Sequence, residues 1–448
     1  MEPIGSLAAT ALLCRCILTG FSFHGIGGVC ISMRGFLLVC SGIRASLWYS
    51  GTGGNVMPAM FLEKGSSLYD ENGIGGVCIS MRGFLLVCSG IRASLWYSGT
   101  GGNVMPAMFL EKGSSLYDEK RNQANLPPAI VKLVPGINGG RSEIIKQNLN
   151  AMYQDIVTAT TAETFMGGAY RQGTNISSAT AVSTPLGGSM ENGIHNAVHF
   201  WTGDPTRMLY QDMGTFLTAS RDPIFYAHHG NIDRLWEKWL YDMPGGRRAF
   251  HADSDFLDAE FYIYDETARL VKVILRDALD NNRLGVSYPD VLADELWTNF
   301  SPLPFTTGSA VLAARANGVS DVGLALRNGA IGFSSALCTI VKRPDIRKKQ
   351  KEILIVEGLQ VIRNTFLSLI VFVNLPDANS SSPISSAEYV GTFNVIPAPC
   401  KLLHTNPIFE IGDNLQRLGI DNEPEIVVTL VVRGTQSITI HGLPIGYT

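Results

Sequence analysis

The chain has 448 residues, of which 46% are hydrophobic and 17% charged, with a formal charge of −4. That length gives room for two or three domains with cores of their own, and the absence of long single-sign blocks argues against a nucleic-acid partner. No stretch reaches the roughly eighteen uninterrupted apolar residues of a membrane span, because Arg15 and Arg34 break the two best candidates. Six of the eight cysteines lie before residue 90, leaving Cys338 and Cys400, so no disulfide framework is expected beyond that point. Cys14 and Cys16 stand too close together for a zinc knuckle. The first residues carry Glu2 where a secretory signal would carry a basic residue, and no targeting segment is assigned.

In chain order, the first feature is a repeat: residues 25–71 recur without a change as residues 73–119. Two copies are too few for a stacked solenoid, and complete identity points to a recent duplication or an assembly error. Within the unit neither helical nor alternating periodicity is clean, so it is not expected to be a folded pair of domains. A helix is expected over 144–153, then a Gly/Ser/Thr-rich loop over 167–193. His195 and His199 follow, one helical turn apart and therefore on one face.

The next helix opens with Asp222 as a cap and Pro223 in its first turn. At about 100° per residue, Phe225, His229, Ile232 and Trp236 form its apolar stripe. His228 falls at the stripe's edge, near Leu235 and Trp239, and Arg234, Glu237 and Lys238 fall away from it. Residues 301–330 are rich in Gly, Ala and Ser and read as a linker. Beyond them, β-branched runs at 336–342, 353–357, 367–374, 389–396, 426–432 and 437–441 predict a separate β-sandwich or barrel. The basic run 342–351 has no interleaved aromatics and is expected to be a solvated hairpin loop.

Three imidazoles on two helices can point at one ion, although an isolated pair at this spacing also arises by surface or core coincidence, and the ligand set alone accommodates zinc as well as copper. The flanking sequence is more specific. The runs His195-Asn-Ala-Val-His-Phe-Trp-Thr-Gly-Asp204, Asp212-Met-Gly-Thr-Phe216 and Arg221-Asp-Pro-Ile-Phe-Tyr-Ala-His-His-Gly-Asn-Ile-Asp-Arg234 resemble the second copper region of the plant polyphenol oxidases, the catechol oxidases and tyrosinases. The resemblance runs from about residue 103 to the end, and includes Tyr262 and Tyr264, which are similar to an aromatic motif near the end of such catalytic domains.

The resemblance implies a mainly α catalytic region, an incomplete type-3 copper helical bundle, over 103–300 and a C-terminal all-β domain over 331–448, with residues 1–102 outside the family. It implies oxidation of an o-diphenol to an o-quinone by O2, copper as cofactor, a phenolic small molecule as partner, and the chloroplast thylakoid lumen as compartment. By the same resemblance His195, His199 and His229 are the second-copper ligands and His228 lies behind them. Phe216 is the gate over that copper, and Glu191 and Asn196 help deprotonate a monophenol. Asp222 and Asp233 read as a helix cap and a structural partner. The family's first copper takes three further histidines upstream, and residues 1–194 hold only His24. At most one copper is therefore expected, and impaired activity with it. The alternatives are a catalytically dead copper- or zinc-binding remnant or a mis-assembled sequence, and a β domain that persists as a shielding module.

Overall fold

The computed structural model describes residues 22–23 and 100–447, apart from 168–186, 216, 265–269, 282–287, 289–290, 323–329, 345–350, 399–401 and 435. The first copy of the repeat, His24 and Phe216 lie outside the described residues, as do most of the Gly/Ser/Thr-rich loop and much of the basic run. The end of the second copy is described, and it joins the core: Met105 is 1% exposed and Phe109 fully buried. Helix α1 (Arg141–Met152) holds that segment in place through Asn148. The Asn148 amide donates to Gly101 O and Val131 O, each at 2.7 Å, and accepts from Leu133 N at 2.9 Å. All its hydrogen-bonding capacity toward that strand of chain is used, which makes burial of an amide affordable.

Helix α1 runs on into a wide π-helical turn, Tyr153–Val157, and a second such turn, Glu191–His195, precedes helix α2 (Asn196–Thr202). Helix α3 (Ile224–Tyr241) is the centre of the helical region. Asp222 accepts from Ile224 N at 2.9 Å, the expected cap, and is itself gripped by buried Arg121 at 2.6 and 2.8 Å. Asp233 accepts from Tyr288 Oη at 2.6 Å, the structural role expected of it.

The amphipathic reading of α3 needs correction. Arg234, placed away from the buried stripe, is 1% exposed and paired with buried Asp294 at 2.5 Å. His228, placed at the edge, is fully buried. From Ile224 to Trp236 the helix is buried at every position, so a single-stripe argument fails there, whereas Glu237 and Lys238 are half-buried and Tyr241 is exposed.

Three strands follow a pattern the sequence reading did not give: β1 (Ser22–Phe23), β2 (Glu260–Tyr264) and β3 (Leu270–Ile274) form one antiparallel sheet. The β domain holds the remaining strands. Its main sheet has the order β5 (Ala336–Lys342), β12 (Glu425–Arg433), β8 (Leu367–Val373), β9 (Tyr389–Val395), all antiparallel. A second sheet carries β10 (Leu402–Thr405), β7 (Leu359–Ile362), β13 (Ile438–Ile440) and β4 (Ile331–Phe333). A third carries β11 (Ile408–Glu410), β6 (Glu352–Ile355) and β14 (Ile445–Tyr447).

Strands β8 and β9 are buried at every position because both faces of the main sheet are covered. Side chains alternate between faces. Leu369, Val371 and Val373 join the aliphatic core of the β domain, while Ile370 and Phe372 join the core of the helices. Part of the stretch expected to be a linker lies along this sheet: helix α4 (Val311–Ala316) packs Val311 and Ala314 on Ile340 and Val427. Buried Glu388 accepts from the main-chain N–H groups of Phe305 and Thr306 at 2.7 Å. Those bonds, both to Oε1, offset part of the cost of burying the carboxyl.

Candidate metal centre

The Glu191–His195 turn and helices α2 and α3 bring His195, His199, His228 and His229 together, each 1% exposed or less, with a ring nitrogen of each within 4.8 Å of the others. His199 Nε2 and His229 Nε2 are 3.3 Å apart and so are aimed at the same point. In His199 and His195 the far nitrogen is held by oxygen acceptors. His199 Nδ1 donates to Met213 O at 2.8 Å, and His195 Nδ1 to Asn196 Oδ1 at 3.0 Å and Glu191 O at 3.3 Å. Such bonds fix the tautomer with the proton on Nδ1 and leave the Nε2 lone pair for a metal. Buried His195 Nε2 has no hydrogen-bond partner among the described residues. Burial pushes His195 down to about 4, and burial together with the neighbouring imidazoles holds His199, His228 and His229 well below the ordinary histidine range. All are neutral near pH 7, the state a ligand requires. A set of neutral, converging imidazoles fits a copper ion by its chemistry.

His228 therefore stands in the cluster and not at its margin. Its ring stacks on that of His195, with centroids 4.9 Å apart and planes 19° from parallel. Phe225 closes the other side, its ring centroid 4.0 Å from that of His229. Glu191 and Asn196, both buried, flank His195 on the same turn. The Asn196 amide is engaged at both ends, since its Nδ2 donates to Asn394 O on β9 at 2.9 Å. Sequence reasoning missed Asn394, which lies 198 residues from Asn196 and carries no local signal. It also missed Asp155, which accepts from Ile194 N at 2.9 Å and whose carboxyl burial raises well above the ordinary range. A Cβ at Gly193 would sit 1.9 Å from Asp155 Oδ2, so glycine is required where these two turns meet.

Residues 98–242 match the common central domain of tyrosinase, 251–303 the polyphenol oxidase middle domain, and 331–447 the chloroplastic polyphenol oxidase C-terminal domain. A chloroplastic polyphenol oxidase of Malus domestica is 35% identical over 335 residues, covering 69% of this chain and 54% of that protein. Catechol oxidase B of Solanum tuberosum, also chloroplastic, is 33% identical, covering 73% of this chain and 56% of that one. The chain thus spans about half the length of the curated relatives it matches. Among solved structures, latent apple tyrosinase superposes with a TM-score of 0.68 at 33% identity, covering 79% of this chain and 76% of that one. The same helical core and C-terminal β domain recur there, and the chain belongs to the plant polyphenol oxidase family, the tyrosinase-type oxidases.

Proposed function

We propose that this chain is a polyphenol oxidase homologue that keeps one half of the family's metal centre: a single copper held by Nε2 of His195, His199 and His229, with His228 packed against them. The observation that carries this reading is the buried cluster of converging, neutral imidazoles on α2 and α3. Copper, when bound, supplies one-electron redox chemistry and Lewis acidity toward a phenol oxygen. The protein's part is to hold and shield. Met213 O and Glu191 O keep two imidazoles in the ligating tautomer, Phe225 excludes water beside His229, and the Glu191 carboxylate is the group we assign to taking a phenol proton. Asn196 contributes by orienting His195.

Oxidising an o-diphenol to an o-quinone removes two electrons and two protons, and O2 receives them. A single copper held by His195, His199 and His229 would supply one-electron chemistry only, short of that stoichiometry, and residues 1–194 offer only His24 toward a second. Catechol oxidation by this chain is therefore expected to be impaired. The relatives are named chloroplastic, which supports a plastid location, and by family the thylakoid lumen. Among the described residues no helix is long and apolar enough to cross a membrane. The test is to load the purified full chain with copper and with zinc, then measure metal per protein and O2 uptake with catechol. One copper and no sustained uptake is the expected result; uptake at the rate of an intact relative would overturn it, and a preference for zinc would favour the remnant reading.

A further inference from the structure

The β domain reaches the turn that carries His195 through two reciprocal hydrogen bonds. Asn394, 1% exposed on β9, donates from its side-chain Nδ2 to Gly193 O at 2.9 Å. Its main-chain oxygen accepts from Asn196 Nδ2, also at 2.9 Å. A main-chain carbonyl only accepts, so the NH2 end of the Asn196 amide must face it. That orientation turns Oδ1 toward His195 Nδ1, 3.0 Å away. An amide oxygen also only accepts, so the proton sits on Nδ1 and the Nε2 lone pair is free to ligate.

We infer that Asn394 is a positioning residue for the metal centre: the β domain, through this pair of asparagines, sets the tautomer and aim of His195. The inference rests on the copper reading above for its consequence, but not for the tautomer itself. Glu191 O, at 3.3 Å from Nδ1, supports the same tautomer more weakly, so loss of the asparagine link is expected to blur the preference and not reverse it. The second consequence is on the turn. Gly193 is wedged between Asp155 on one side and Asn394 on the other, with no room for a side chain. Releasing one side lets the His195 turn shift.

The test uses the full chain carrying Asn394→Leu or Asn196→Leu, with Ser385→Ala as control. Ser385 also bonds across to the helices, from its Oγ to Glu143 Oε1, but touches none of the histidines. Two readouts are taken: the nitrogen-15 shifts of the His195 ring in metal-free protein, and cuprous-ion affinity by competition with a chromophoric chelator. Both leucine variants should move the ring shifts toward a tautomer mixture and weaken affinity about 10- to 100-fold, as loss of an outer partner does. Ser385→Ala should leave both unchanged. If Asn394→Leu does not fold, Asn394→Ala asks the same question with less bulk. Unchanged shifts and affinity in the Asn394 and Asn196 variants would overturn the inference, as would an equal loss in Ser385→Ala. Should the parent chain bind no copper while the variants still alter the ring shifts, the copper reading fails and the positioning role stands.

Discussion

On one face of the sheet β5-β12-β8-β9 the buried side chains are Leu367, Leu369, Val371, Val373, Val428 and Leu430; on the other, Ile370, Phe372, Tyr389 and Val431 join the apolar core of the helical layer, and that layer also encloses four histidines, Asp155, Asn148 and the ion pairs of Arg121 and Arg234. Both sides are closed to water, yet only the helical side adds a set of buried polar groups to its apolar core. The aliphatic face gains free energy from burial itself. The polar face must recover, bond by bond, the desolvation cost of each group it encloses. Buried ion pairs are weak contributors to stability, since well-packed apolar side chains often serve as well. The contrast places the site within the helical side, whose own apolar core holds it, while the aliphatic face holds the β domain alone.

The largest effect that sharpens this contrast comes from Arg121. Replacing it by Met leaves Asp222 buried at 0% exposure without its partner, and should cost about 3–5 kcal/mol by urea denaturation. A loss below about 1 kcal/mol would mean that the polar face is softer than the geometry shows. Next is the aliphatic face. Leu430→Ala, at a fully buried position of β12, should cost about 2–5 kcal/mol through the cavity it leaves, with metal affinity unchanged. A parallel fall in affinity would show that the two faces are not energetically separate.

A smaller effect concerns Asp118, which burial, with Asp222 and Asp212 nearby, pushes up to about 6 from 3.8. A carboxyl raised in the folded state contributes stability that is fully present below 3.8 and is lost as pH rises through about 6. Asp118→Asn should therefore be more stable than the parent at pH 7, by about 1 kcal/mol after solvent screening, and equal to it near pH 3.5. A constant difference across that range would refute the assignment. The smallest effect is expected from deleting residues 25–72. The second copy of the repeat supplies Met105 and Phe109 to the core and leads directly to Arg121, so removal of the first should leave the melting transition within about 0.5 kcal/mol of the parent.

How legible this was in the sequence differs by face. The long strands of the β domain could be read because Leu367–Val373 and Glu425–Arg433 are β-branched and aliphatic along their length. Leu359–Ile362 and Leu402–Thr405 are short and mixed, and become strands only because each lies beside the other in the sheet. His195, His199 and His229 were legible from spacing and from the surrounding motif. The place of His228 was not, because α3 is buried at every position from Ile224 to Trp236 and its burial there has no stripe. Nor could the sequence show that Glu191–His195 winds as a π-helical turn around Asp155, or that Asn394 meets it across the fold.

The account turns on one half-site in place of a pair, and electron paramagnetic resonance of the copper-loaded, oxidised full chain tests that directly. A lone cupric ion carries one unpaired electron, whereas two strongly coupled cupric ions cancel. The prediction is one copper per chain, all of it visible in the integrated signal, abolished by His229→Ala and weakened about 10- to 100-fold in affinity by His228→Ala. Two coppers per chain with little or no signal would contradict it, and would mean that side chains other than upstream histidines complete the pair.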